Sequence, residues 1–269
     1  MDRTTLIRKL KDEIAAGRTV TIAGTGVSVA ACRNQEIEGF KVATWTGLLL
    51  HGVKHCQDIG IADDDDTELL TRQINSGKAN FLISAAEDIT QRMKNKGDGT
   101  FRGWLKDTIG GLTIQDRAVV DALAALPGLF ATLNYDNLLE GATGRRAITW
   151  LKTDAVQDVL ACEVADAILH LHGWYQEPDS VVLGLKSYLA VKDHPHAKAV
   201  LDLFAIGRTL LFVGCGDTML DPNFSRLIEW GKEALRDVTP RHYLLCRTSE
   251  VAEFQKKLGD APWLQPIAY

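Results

Sequence analysis

Apolar positions along the chain change rhythm twice. Leu6, Leu10 and Ile14 recur at helical spacing behind Thr4 or Thr5 as a cap and ahead of Gly17, which predicts an opening helix. Thr19-Val20-Thr21-Ile22-Ala23 is a short β-rich run that stops at Gly24. From Trp45 to Leu126 the apolar residues come in three- and four-residue steps (Leu48, Leu49, Val53; Leu69, Leu70, Ile74; Phe81, Ile83, Ile89). Gly97-Asp98-Gly99 and Gly110-Gly111 punctuate this stretch, which reads as helical throughout. Beyond Pro127-Gly128 short apolar runs return: Leu129 to Leu133, Ala147 to Trp150, Ala167 to Leu171, Val181 to Leu183, Leu210 to Val213, His242 to Cys246 and Ile267 to Tyr269. Several are separated by helix-length segments; after Leu210–Gly216, Asp221 can cap and Pro222 can start a helix whose Leu227, Ile228 and Trp230 pack back. This alternation predicts an α/β fold, a Rossmann-like parallel sheet with helices on both faces and a helical insertion module. The expected organisation is a single domain over 1–269, with 18–44 and 127–269 as the sheet core and 45–126 as the helical insertion.

Composition narrows the function classes. The chain has 269 residues, 46% apolar and 24% charged, enough to bury a core without a disulfide or metal staple. A net charge of −5 gives neither a basic footprint for nucleic acid nor a polybasic patch for an anionic membrane. No apolar run approaches the roughly 20 residues of a membrane span, and the first residues lack a signal peptide's apolar segment. The five cysteines (Cys32, Cys56, Cys162, Cys215, Cys246) are scattered without a C-x-x-C pair, as expected of reduced thiols in a cytoplasmic protein, and this excludes a zinc ribbon.

Candidate chemistry sits where apolar runs stop. Gly24-Thr25-Gly26-Val27-Ser28 can bring backbone close to a phosphate, or can be a tight turn; Val29 breaks the dinucleotide fingerprint. In Thr132-Leu133-Asn134-Tyr135-Asp136, Asn134 is either a helix N-cap or a neutral amide reaching into the crevice beyond a strand's carboxyl end. Ile168-Leu169-His170-Leu171-His172-Gly173 puts residues 170 and 172 on one face of an extended chain, with no third metal ligand apparent. His51 and His55 have i, i+4 spacing, yet Gly52 stands where a metalloprotease needs glutamate, so packing roles are expected for His51, His55 and His170. Gly214-Cys215-Gly216-Asp217 ends another run; Cys215 has no local base and reads as a small buried thiol. The acidic run Asp63 to Asp66 lacks the spacing of a calcium loop and reads as a solvated helix approach.

Taken in order, these motifs resemble the sirtuin-like family, which binds NAD between a Rossmann-like sheet and a smaller helical module. The resemblance runs from Val20 to Tyr269 and makes the chain a single sirtuin-like domain. The family's G-A-G-x-S matches Gly24-Thr25-Gly26-Val27-Ser28 with threonine for alanine, its strand-end asparagine motif matches Thr132 to Asp136, its histidine-glycine matches His172-Gly173, and its adenosine-side glycine motif matches Gly214-Cys215-Gly216. Two departures separate it from the deacylases: the zinc ribbon is missing, and Ala43-Thr44-Trp45-Thr46 is the nearest match to their proline-acid-phenylalanine-arginine stretch. The chain resembles instead the bacterial anti-phage branch, whose members hydrolyse NAD.

That resemblance implies a regulated NAD glycohydrolase that takes NAD as substrate and uses no metal. Asn134 and His172 would be catalytic, with Asp136 either orienting ribose or starting a helix. Gly24, Thr25, Gly26 and Ser28 would cradle the pyrophosphate; Gly173, Gly214, Cys215 and Gly216 would complete the dinucleotide site. Nicotinamide leaves a cationic N-glycosidic bond as a neutral molecule, so no strong general acid is required; a base toward water or ribose hydroxyl suits histidine. Competing expectations are a sensor that binds NAD or ADP-ribose without turnover, and a protein deacylase or ADP-ribosyl transferase. The run to Tyr269 ends strand-like without a closing helix, so a further domain, a homo-oligomer or a partner subunit (Argonaute-type, HerA-type ATPase or nucleotide sensor) is expected.

Overall fold

The computed structural model describes residues 2–161, 164, 166–193, 207–216, 242–259 and 263–269. Cys162, Asp217 and the helix expected from Asp221 and Pro222 through Trp230 lie outside them.

The chain opens with α1 (Arg3–Ala15), β1 (Thr19–Ala23) and α2 (Thr25–Ala31). Only helical elements follow until the second strand: α3 (Trp45–Asp58), α4 (Asp64–Asn75), α5 (Ala79–Lys96), α6 (Asp98–Thr108) and α7 (Ala118–Ala124), with a single 3-10 turn at Ile109–Gly111. Then come β2 (Leu129–Thr132), α8 (Leu138–Thr143), β3 (Arg146–Thr149), α9 (Thr153–Leu160), β4 (Ala167–His170), α10 (Leu185–Asp193), β5 (Thr209–Val213), β6 (His242–Cys246), α11 (Val251–Leu258) and β7 (Leu264–Ala268). The strands form one seven-stranded sheet in the order β3-β4-β2-β1-β5-β6-β7, and every pairing is parallel.

Both sheet faces are covered, as a parallel sheet requires. Val20, Ile22, Ala131, Leu169 and Phe212 face one apolar core with Val156, Phe254 and Trp263. Ala23, Phe130 and Ile168 face the other, which continues without a break through Leu48, Ile89, Trp104 and Leu105 of the helical segment. The helices between α2 and β2 therefore share a core with the sheet. Each large side chain buried in this way stabilises the fold by about 1.5–3 kcal/mol.

Two local expectations need correction, and a third gains detail. Asp2, not Thr4 or Thr5, caps α1, its Oδ1 accepting from Thr5 N at 3.0 Å. Val181–Leu183 is buried but is no strand. Val182 N donates to His172 O at 2.8 Å and Leu183 N to Ser187 Oγ at 2.9 Å, so these donors serve a loop and a side chain instead of a ladder. The acidic run is the solvated helix approach expected, with Asp63 and Asp66 forming a capping box at the start of α4 and Asp66 accepting from both terminal nitrogens of Arg92. Pro266 sits in β7, an edge strand, where its missing N–H leaves no gap in the ladder.

Candidate active site

Four neighbouring strands end at the same level. Register places Ala23 beside Thr132 and beside Val213, and Thr132 beside His170. The residues one or two positions further on are the ones the sequence singled out: Gly24 after β1, Asn134 after β2, His172 after β4 and Gly214 after β5. Crevices beyond the carboxyl ends of such strands are where open α/β sheets bind ligands.

Asn134 is buried and its carboxamide is held from one side. Its Nδ2 donates to Gly24 O at 2.9 Å and to Ser28 Oγ at 2.7 Å, and its backbone N donates to Thr132 Oγ1 at 3.0 Å. Ser28 Oγ donates in turn to Asp136 Oδ2 at 2.5 Å, while Asp136 Oδ1 accepts from Leu138 N at 3.0 Å. Hydrogen-bond direction is thereby fixed. A carboxylate takes the serine proton, the serine oxygen must accept, and so the amide turns its NH2 inward and leaves Oδ1 for the cavity. Burial pushes the Asp136 carboxyl above the usual carboxylate range, opposed by the Ser28 and Leu138 donors; Glu140 pushes it further up and His170 pulls it down.

Asn134, Asp136 and His172 line one cavity of about 450 Å³ together with Thr25, Leu133 and Tyr135. Its remaining wall is built by Val42, Ala43 and Thr44 at the entry to α3, by Trp45, Thr46, Leu48, Gly77, Leu82 and Ile109 of the helical segment and by Tyr188 of α10. His172 is 5% exposed, and its ring meets Tyr188 edge to face, with centroids 6.2 Å apart. Gly173 turns the chain away at φ +91°, and a Cβ there would lie 2.1 Å from Ser180 O. Only glycine fits this corner.

The two glycine loops meet each other. Gly24 N donates to Val213 O and Gly26 N to Gly214 O at 2.8 Å, and a Cβ on Gly24 would stand 2.7 Å from both Cys215 Sγ and Gly214 O. Close loop packing thus explains Gly24 and Gly26 without a ligand, and the Gly26 amide is already engaged. Ser28 likewise spends its hydroxyl on Asn134 and Asp136. Thr25 is the glycine-loop residue on the cavity wall, and no described residue lies within 4 Å of where a Cβ on Gly216 would stand.

Cys215 is fully buried with Sγ 3.7 Å from Ile22 O, matching the expected inert thiol. Burial pushes the thiols of Cys32 and Cys246 upward and that of Cys56 up to about 11. Among the described residues no three or more His, Cys, Asp or Glu gather as a metal would need. His170 points to Glu140 rather than to His172, and His51 accepts from Trp104 Nε1 at 3.1 Å.

Sequence reading did not anticipate Val42, Leu48, Leu82, Ile109 or Tyr188 as cavity residues. Leu48, Leu82 and Tyr188 sit in helices, Val42 in a turn and Ile109 in a 3-10 turn, and nothing local distinguishes a buried apolar residue beside a cavity from one beside another side chain.

A family model described as a SIR2-like domain matches residues 128–267, just over half of the chain. The chain belongs to the SIR2-like family. Its SIR2-like fold is the α/β, Rossmann-like parallel sheet with covering helices described above. Over 258 residues, 92% of this chain, it is 27% identical to the NAD(+) hydrolase ThsA of Enterococcus faecium, covering 47% of that protein. Over 166 residues, 60% of the chain, it is 26% identical to defense-associated sirtuin 2 of Bacillus subtilis, covering 16% of that protein. The SIR2-like chain thus spans about half the length of the first relative and a smaller part of the second.

Proposed function

We propose that this chain is an NAD glycohydrolase that cleaves the bond between nicotinamide and ribose, releasing ADP-ribose, nicotinamide and a proton. The observation that carries the reading is the shared cavity of Asn134 and His172, one presenting an amide oxygen and the other an imidazole to the same space. Resemblance to an NAD(+) hydrolase over 92% of the chain supports it.

In this reading Asn134 Oδ1 accepts from a ribose hydroxyl or from the attacking water. His172 takes the proton as that water or hydroxyl attacks C1′. Ser28 and Asp136 hold the amide, and the Asp136 charge favours the cationic transition state. Nicotinamide departs neutral, and the apolar wall of Leu48, Leu82 and Ile109 suits its ring. Thr25, between Gly24 and Gly26, brings the glycine loop to the pyrophosphate end, Gly214 and Gly216 admit the adenosine half around the buried Cys215, and Gly173 turns the chain beside His172.

In the cell the chain acts as a regulated anti-phage effector in the cytoplasm, depleting NAD in an abortive infection, as a homo-oligomer or with a partner subunit or further domain. The name of the Bacillus subtilis relative supports this role, and among the described residues no helix is long and apolar enough to cross a membrane.

The test measures nicotinamide released from NAD by purified protein, together with NAD content in cells expressing it, against His172→Ala. Nicotinamide release and NAD depletion that both vanish in the variant support the reading. NAD binding with neither effect, in purified protein or in phage-infected cells where the activating trigger is present, makes the protein a sensor, and labelled ADP-ribose on protein makes it a transferase.

A further inference from the structure

The ladder between β2 and β4 gives out at the cavity's floor. Its last backbone bond there runs from Leu171 N to Thr132 O at 3.0 Å, and Asn134 and His172 lie just beyond it. A bond from Tyr175 N to Tyr135 O at 2.9 Å rejoins the two segments further out. Between these two ties sits the fully buried ring of His170. Its Nδ1 lies 3.2 Å from Asn134 O and 3.3 Å from Gly173 O, and its Nε2 lies 2.7 Å from Glu140 Oε1 in the first turn of α8.

We propose that His170 and Glu140 form a positioning pair for the cavity: the His170 ring, held from behind by Glu140, clamps the carbonyls of Asn134 and Gly173. The clamp fixes the carboxamide at 134 relative to the imidazole at 172. The groups that face Nδ1 are carbonyl oxygens and the contact at the opposite nitrogen is a carboxyl oxygen, so one hydrogen must lie on Nδ1 and a second between Nε2 and Glu140 Oε1. Glu140 supplies that contact, with a side chain 13% exposed and an Oε2 that has no partner among the described residues. The carboxyl is thus held at the edge of the core for one bond to one histidine. Neither residue lines the cavity; both act through the backbone of those that do. The proposal rests on the NAD hydrolase reading for its kinetic consequence and on geometry alone for the pair itself.

The test compares Glu140→Ala with Glu140→Gln. Alanine removes the support, and the expected result is kcat lowered by roughly 10- to 100-fold with KM within about threefold, the cost of a small misplacement of reacting groups. Glutamine can donate its amide N–H to Nε2 and leave the Nδ1 hydrogen on the carbonyls, so kcat should recover to within about threefold of wild type. Nitrogen-edited NMR of His170 supplies a reading that does not depend on turnover. A slowly exchanging Nδ1–H is expected in wild type and Glu140→Gln and a faster-exchanging one in Glu140→Ala, where Nε2 also loses its hydrogen-bonded partner. A deprotonated Nδ1 in wild type, full kcat in folded Glu140→Ala, or equal damage in both variants would overturn the pair. A wild type that releases no nicotinamide in purified form and depletes no NAD in phage-infected cells overturns the hydrolase reading instead, and the Nδ1–H resonance then decides the pair by itself.

Discussion

Ser28 Oγ and Asp136 Oδ2 lie 2.5 Å apart, joining residues separated by 108 positions in the chain, and this contact determines which atom of Asn134 faces the cavity. Removing the hydroxyl breaks the relay at its centre. Ser28→Ala is expected to lower kcat for NAD hydrolysis by roughly 10- to 100-fold through misorientation of the amide and to destabilise the fold by about 1–3 kcal/mol by leaving a buried carboxylate oxygen unpaired. Steady-state kinetics and denaturant unfolding check both numbers; wild-type kcat in the variant would remove the relay from the mechanism.

Asp136 also sets a pH dependence. Its folded carboxyl titrates above the ordinary value of about 3.9, because burial penalises its charge. Between that value and the folded one the native state binds more protons than the unfolded state, so stability falls as pH rises through the window and stays lower above it. Asp136→Asn cannot ionise and should escape this loss. Its stability relative to wild type should increase with pH across the window, measured by denaturant midpoints at successive pH values. A difference independent of pH would mean that the charge is fully compensated in the fold.

Both oxygens of this carboxylate accept, one from Ser28 and one from Leu138 N, and protonation would turn one of them into a donor and disturb the relay. Turnover of NAD by wild type should therefore fall on the acid side, along a limb centred above the usual carboxylate range. A pH profile of kcat/KM checks this, and activity that is level down to pH about 4 would separate Asp136 from the rate.

His172→Ala is expected to lower NAD turnover by about a hundred- to ten-thousand-fold, the range for a lost general base. Asn134→Ala should lower the rate similarly while NAD still binds. Calorimetric binding beside kinetics separates the outcomes; loss of binding would make Asn134 a ligand anchor.

Gly173→Ala tests the corner that aims His172. At φ +91° with a backbone oxygen 2.1 Å from the new Cβ, the variant should lose about 1–3 kcal/mol or more of stability, and its turnover should fall with it. Unfolding midpoints and nicotinamide release measure this, and wild-type values for both would show that the corner relaxes freely.

What the chain disclosed beforehand follows from how local each cause is. Strand ends at Ala23, Thr132, His170 and Val213 are local, because glycine, asparagine and histidine interrupt apolar runs there, and the structure places them side by side. The alternative of Asn134 as a helix cap resolves against it: Asn137 holds the cap position of α8, and Asp136 receives the Leu138 amide. The expectation that Ser28 faces phosphate could not foresee its engagement, because Asp136 is 108 residues distant. Val181–Leu183 looked like a strand because burial alone gives an apolar run, whatever its donors do. The packing role expected for His170 was legible; its partner Glu140, 30 residues earlier, was not.

The level strand tips constrain how this sequence can change. One residue added within β1, β2, β4 or β5 would displace its tip by about 3.3 Å, enough to pull a single functional group out of reach of the others. Length variation is therefore expected at turns between helices such as Gly60 and Gly97, while indels within the four central strands should be selected against. A deep insertion-deletion scan would display that contrast as tolerance around the helices and intolerance at the sheet's centre.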